Sequence, residues 1–143
     1  MPGVSRFEDL DAYKLAVEIR REVLRLSSGT AGAHDFKFVS QIRDAARGGP
    51  RNIAEGFSRT APAEFSRFLG YARATLDETK SHVIDGYECG YFTDTDRDGL
   101  LTLIRRTIGA INRLKAYLES PAARRAYERL RAARSARKRT REP

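Results

Sequence analysis

Positively charged side chains are concentrated in the last part of the 143-residue chain. Residues 121–143 contain nine Lys or Arg and two acids, a net charge of 9 − 2 = +7, whereas the other 120 residues carry 18 − 17 = +1. Clustered cations neutralise nucleic-acid phosphates and release condensed counterions. The pattern therefore predicts either an Arg-rich arm that binds RNA or DNA nonspecifically or a disordered, solubilising tail. The candidate phosphate-binding residues are Arg124, Arg125, Arg129, Arg131, Arg134, Arg137, Lys138 and Arg139.

A second group of charged residues follows a four-residue spacing that would place its members on one helix face. Arg51, Glu55 and Arg59 stand at i, i+4 and i+8, so Glu55 could bridge both arginines. This set either recognises a partner or RNA phosphate, or fixes the end of a helix; the second interpretation is favoured, because polar networks more often specify packing. The second-tier candidates for phosphate contact are Arg43, Arg47 and Arg51.

The sequence lacks the residue patterns typical of an enzyme or a metal site. The only histidines, His34 and His82, are far apart, and Cys89 is the only cysteine. A calcium-loop-like start at Asp94 has Arg105 at its twelfth position, where calcium needs a bidentate acid. The chain contains no Gly-x-Ser-x-Gly sequence and no phosphate loop. We therefore expect a non-enzymatic protein with no cofactor and no metal.

Apolar residues recur every three or four positions in four segments, which predicts four long helices at about 7–28, 36–57, 62–88 and 96–118. Pro50, after two glycines, predicts a kink or break in the second helix because proline removes a backbone donor. The sequence around Thr95 and Asp98 resembles a capping box for the fourth helix. The segment 122–138 has so few apolar residues that we expect it to be helical only when bound.

Four long helices with short connections predict an all-α fold: an antiparallel up-down four-helix bundle over residues 1–120, with a basic C-terminal extension at 121–143. The broad apolar stripes favour a homo-oligomer, although a well-packed monomer is the alternative. No run approaches the roughly 20 apolar residues of a membrane span, no export signal is evident, and one cysteine cannot form an internal disulfide. These features predict a cytoplasmic protein without membrane contact.

The stretch QIRDAARGGPRNIAEGFSR, residues 41–59, resembles a motif of the 23S rRNA-intervening sequence proteins, a family of bacterial four-helix-bundle proteins. The similarity covers roughly residues 7–118, and Asp44, Gly48 and Gly49 depart from the family pattern. The matching motif residues are Gln41, Ile42, Arg43, Ala45, Ala46, Pro50, Asn52, Ile53, Ala54, Glu55, Gly56 and Arg59.

This resemblance implies a four-helix bundle that assembles into a ring-shaped homopentamer and has no catalytic activity. The architecture is similar to that of accessory proteins of diversity-generating retroelements, which bind nucleic acid and a reverse transcriptase. Two functions follow as hypotheses: nonspecific binding of RNA or DNA, or a protein-binding scaffold or accessory subunit with no nucleic-acid contact. The polar network implied by the family motif comprises Gln41, Asn52, Glu55, Arg59 and Glu78.

Overall fold

A computed structural model describes residues 3–29 and 31–141. Within these residues the chain is all-helical, with no strand, and the predicted fold class is confirmed at that level. Two short 3-10 helices occupy Phe7–Asp9 and Ala31–His34. The five α-helices are α1 (Asp11–Gly29), α2 (Phe36–Phe57), α3 (Pro62–Glu88), α4 (Asp94–Leu118) and α5 (Pro121–Arg139).

The predicted bounds of α2 and α3 are confirmed, whereas α1 and α4 begin elsewhere. Leu10 is extended, with ψ of 131°, and separates the first 3-10 helix from α1, so the predicted start at Phe7 was wrong. The predicted cap at Thr95 was also wrong. The Thr93 hydroxyl instead accepts from the Asp96 backbone N–H at 3.1 Å, and the Asp96 carboxylate accepts from the Thr93 N–H at 3.1 Å. This reciprocal capping box starts α4 two residues earlier.

The predicted break in α2 does not occur, because the helix continues through Gly48, Gly49 and Pro50. Asn52 Nδ2 donates to the Gly48 carbonyl at 2.9 Å, which adds a polar contact within the proline-containing turn. The glycine at position 48 also allows α3 to approach closely: a Cβ there would lie 2.5 Å from Thr75 Cγ2. The glycines that suggested a helix break therefore contribute to helix packing.

Helices α1 to α4 enclose a common hydrophobic core. Each contacts the next along the chain, α4 also contacts α1, and the contact between α2 and α3 is the most extensive. Gly56 lies in that contact, where a Cβ would be 2.7 Å from Phe65 Cδ1. Among the described helices, none has the length and apolar character needed to cross a membrane. The largest fully buried side chains include Phe65, Ile19, Ile42, Ile53, Leu69, Leu76, Leu100, Ile104 and Ile111.

The Arg-rich segment forms the helix α5. The Ser120 hydroxyl caps the helix by accepting from the Ala123 N–H at 3.3 Å, and Pro121 occupies its first turn. Ala123 and Tyr127 are buried, with Tyr127 only 9% exposed, where α5 contacts α3 and α4. Two buried side chains near its start therefore pack α5 against the rest of the protein.

Candidate nucleic-acid interface

The distal part of α5 stands clear of the other helices. Ala123 and Tyr127 are its only buried residues, and every residue in the range 128–141 is exposed. The helical part of this range, residues 128–139, is about 18 Å long at 1.5 Å per residue. The predicted arm cations are all exposed, and no ion pair joins any of them to a carboxylate of the described residues.

The cations of α5 surround the helix axis. At 3.6 residues per turn, charged groups lie both on the side of Tyr127 and on the opposite side. An amphipathic membrane helix would separate an apolar face from a charged one, so the arrangement favours a polyanion over a membrane surface. The cations on the side of Tyr127 are Arg124, Arg131, Arg134, Arg137 and Lys138. Those on the opposite side are Arg125, Arg129 and Arg139.

The three second-tier arginines have different surroundings. Arg43 Nε donates to Ser27 Oγ at 2.8 Å, and its Nη2 donates to Ser28 Oγ at 2.8 Å. This guanidinium therefore joins α2 to the end of α1, and its donors are directed to the protein. Arg47 and Arg51 are exposed on α2, with no ion pair to a described carboxylate, so their charges face solvent.

The predicted bridge from Glu55 to Arg51 and Arg59 is absent from the described residues. Because α2 ends at Phe57, Arg59 lies outside the helix and does not stand one turn beyond Glu55. The Arg59 guanidinium lies 4.6 Å from the centroid of the Phe68 ring, a cation–π contact with α3. The pair with Arg59 fails because i, i+4 pairing needs a helix that includes both residues. Arg51 and Glu55 both lie in α2, but their side chains form no ion pair.

The other motif residues make local contacts and form no hydrogen bond or ion pair with one another in the described chain. Gln41 is exposed on α2, and the Asn52 amide donates to the Gly48 carbonyl of its own helix. Glu78 Oε1 lies 3.7 Å from His82 Nε2, one turn further along α3. The structure therefore does not bring the motif residues together as one network within a single copy.

Sequence reasoning missed a second cationic surface, on α4. Residues 99–118 contain three arginines and one lysine but no acid. Lys115 Nζ donates to the Ser66 carbonyl at 2.9 Å and so connects α4 to α3. Arg105, Arg106 and Arg113 are exposed and have no ion pair with a described carboxylate. The acid-free run is visible in the sequence and could have indicated this surface. It was hidden because the charge was averaged over residues 1–120.

These three arginines border an open groove between α1 and α4. One part of the groove has a volume of about 850 Å³, and the adjoining part has a volume of about 510 Å³. Glu18 and Arg106 line both parts, so the groove continues along the two helices. The described residues contain no group of three or more His, Cys, Asp or Glu that could hold a metal ion.

A separate polar contact joins the start of α2 to the connection between α3 and α4. The Tyr91 hydroxyl donates to Asp35 Oδ2 at 2.7 Å, and Asp35 Oδ1 accepts from the Phe38 N–H at 3.1 Å. The bond to Asp35 raises the pKa of Tyr91 to about 12, and the same bond, followed by that from Phe38, lowers the pKa of Asp35. Both shifts result from these hydrogen bonds, of which the one from Phe38 caps α2.

Comparison with known families places most of the chain in one of them. The sequence model of the 23S rRNA-intervening sequence protein family matches residues 8–113. A comparison with curated proteins finds no match. The family match includes α1 to α3 and most of α4, and it ends before α5 begins at Pro121. The arginines of the groove therefore lie within the matched region, whereas those of α5 lie outside it.

Proposed function

The chain belongs to the 23S rRNA-intervening sequence protein family, and from this premise we propose that it is a non-enzymatic, oligomeric protein that binds RNA or DNA nonspecifically through α5. In this proposal, residues 1–120 form an antiparallel up-down four-helix bundle, and residues 121–143 are an arm attached to it. The closed set of contacts among α1, α2, α3 and α4 supports the bundle arrangement.

One observation carries the nucleic-acid part of the proposal: the exposed cations of α5 surround a helix that projects from the other four. Such a rod can place guanidinium groups against phosphates in many orientations, and each phosphate neutralised releases counterions. Contacts of this kind position a protein on a nucleic acid but carry no sequence information. The proposed binding is therefore nonspecific and strongly dependent on salt.

Exposed apolar side chains support the proposal that the protein associates with copies of itself. The proposed location is the cytoplasm, and the family resemblance implies a homopentamer. Phe36, at the start of α2, is 77% exposed, and its burial against another copy would remove apolar surface from water. A ring would bring several arms to one nucleic acid and increase the overall affinity through effective concentration. The other exposed large apolar residues of α1, α3 and α5 are Leu24, Tyr71, Ile84 and Leu130.

The arm is tested with a full-length variant in which the distal cations, from Arg129 to Arg139, are all replaced by glutamine. Tyr127 is kept, so the anchor of α5 stays intact. For single-stranded RNA, the slope of log K against log salt should become less negative by about 0.7 for each phosphate that the variant no longer neutralises. We expect most salt-dependent binding to disappear.

An unchanged affinity and slope would reject the role of the arm. In that case, a protein that co-purifies after nuclease treatment and a high-salt wash would favour the scaffold function. The oligomeric state of the variant, measured by light scattering, is the control for intact assembly.

A further inference from the structure

The groove between α1 and α4 has one strongly basic wall. Arg105, Arg106 and Arg113 project from α4, and Arg105 and Arg113 are separated by about 12 Å along the helix at 1.5 Å per residue. All three line the part of the groove with a volume of about 510 Å³. Three guanidinium groups on one wall, without described carboxylate partners, are suited to a chain of phosphates.

The opposite wall and the floor have a different chemistry. The α1 side of the groove carries Asp11, Lys14 and Glu18. Its floor is apolar and is formed by Leu15 and by Gly109, which has no side chain. Phosphates would be repelled by the two carboxylates and attracted to the α4 wall. Bases would then face α1, where carboxylates accept hydrogen bonds from base amino groups and where a leucine offers apolar contact.

The chemistry of the groove favours a single strand over a duplex. The bases of a duplex are paired and stacked on one another, so their faces are not available to protein side chains. A single strand with unstacked bases can present its phosphates to α4 and its bases to the α1 side. Arginine planes also provide surfaces on which unpaired bases stack.

We propose that the α1–α4 groove binds the backbone of single-stranded nucleic acid, with phosphates on Arg105, Arg106 and Arg113. This inference rests on the proposed function and adds to it a second contact surface on the helical body. Only two residues separate the end of α4 at Leu118 from the start of α5 at Pro121, so a strand held in the groove can continue onto the arm. The arm supplies much of the affinity, and the groove supplies the preference for single strands.

Gly109 provides the sharpest test, because it lies in the groove and its substitution spares the core. A Cβ there would meet only the tip of the Arg113 side chain, at 3.4 Å from Nη1. Gly109→Glu and Gly109→Gln have the same shape and both favour a helix over glycine. Only the glutamate places a negative charge beside the phosphates, so we expect Gly109→Glu to bind a fluorescent 12-nucleotide single-stranded RNA about tenfold more weakly than Gly109→Gln at 0.1 M salt.

A second pair of variants tests the arginines against an equal loss of charge elsewhere. The test variant replaces Arg105, Arg106 and Arg113 by glutamine. Each phosphate that is no longer neutralised reduces the slope of log K against log salt by about 0.7, so the slope should fall by about 2. The affinity at 0.1 M salt should fall by about 100-fold. The control replaces three exposed cations of α2 and α3 by glutamine and should change binding little. The control residues are Lys37, Arg67 and Lys80.

The outcomes separate this inference from the proposed function. Loss of binding with the test variant but not with the control, together with the Gly109 difference, supports the groove. Normal binding by the test variant, when the glutamine arm variant binds poorly, overturns the groove and leaves the arm. If the unaltered protein binds no nucleic acid, both fail. The single-strand assignment is also overturned if the groove variants weaken binding of a duplex of the same length as much as they weaken binding of the single strand. Equal affinity for RNA and DNA single strands supports contact with the backbone.

Discussion

Replacing Gly48 with alanine should destabilise the protein, although alanine is the better residue for a helix interior. An alanine Cβ at this position would lie 2.5 Å from Thr75 Cγ2 and 2.8 Å from Thr75 Cβ. The second of these atoms is attached directly to the α3 backbone, so it cannot move aside unless α3 moves. The substitution therefore tests whether α2 and α3 are in close contact at this position.

The magnitude follows from two opposing contributions. Overpacking a buried contact costs about 1–3 kcal/mol, and the atoms that an alanine at Gly48 would meet favour the upper half of that range. The gain in helix propensity is at most about 1 kcal/mol. The net loss in the free energy of unfolding should be about 1–2 kcal/mol. With a urea m-value of about 2 kcal/mol/M, the unfolding midpoint should fall by about 0.5–1 M.

Gly70→Ala is the matched control, because Gly70 also lies inside a helix but has open space around it. The nearest atom to a Cβ there is Lys115 Nζ, at 3.9 Å. This variant should gain about 0.5–1 kcal/mol. Both are measured by urea unfolding at one fixed protein concentration, since assembly affects apparent stability. Adding Thr75→Ser to the Gly48 variant removes the nearest methyl group and should restore part of the loss. If Gly48→Ala raised the midpoint as much as Gly70→Ala does, the close α2–α3 approach would be refuted.

Three further predictions concern the contacts that connect the helices. Arg43→Ala removes hydrogen bonds to α1 and should therefore lower the free energy of unfolding by about 1 kcal/mol, as measured by urea unfolding. The same variant should reduce RNA affinity, measured by titration, far less than the arm variant does. Tyr127→Ala should remove about 3 kcal/mol of packing and release α5, seen as faster tryptic cleavage within the arm while the remaining helices stay protected. The bond to Asp35 raises the pKa of Tyr91 to about 12. Its stabilisation should therefore hold below about pH 10 and disappear as the pH rises toward 12. Tyr91→Phe should lose less stability than the unaltered protein between about pH 10 and pH 12 in urea unfolding; an equal loss would reject the assignment.

The sequence was most informative where one signal marks each helix end. Pro62 suits a first turn, and an apolar stripe then continues through α3, so its bounds could be predicted. The start of α4 was ambiguous because Thr93 precedes Asp96 by three residues and Thr95 precedes Asp98 by the same interval. Both pairs satisfy the spacing of a capping box. Only the structure shows which threonine adopts the extended conformation that a cap requires.

The candidate site was predictable only where charge is clustered along the chain. The arm has this property, so its arginines were found by counting. The groove depends on α4 lying beside α1, and an average over 120 residues hides three arginines that share one wall. The role of Arg43 was equally hidden, because its partners Ser27 and Ser28 lie 16 and 15 residues away on another helix. Sequence spacing within one helix cannot reveal contacts between helices.

The central claim is that an oligomer of this protein binds nucleic acid through its exposed cations. The most direct measurement is the mass of nuclease-treated, full-length protein by size-exclusion chromatography with light scattering. It is made alone and with a short mixed-sequence single-stranded RNA, at low and at high salt. We expect a pentamer that gains the mass of RNA at low salt and releases it at high salt. A protein whose mass is the same with and without RNA at low salt would contradict the claim.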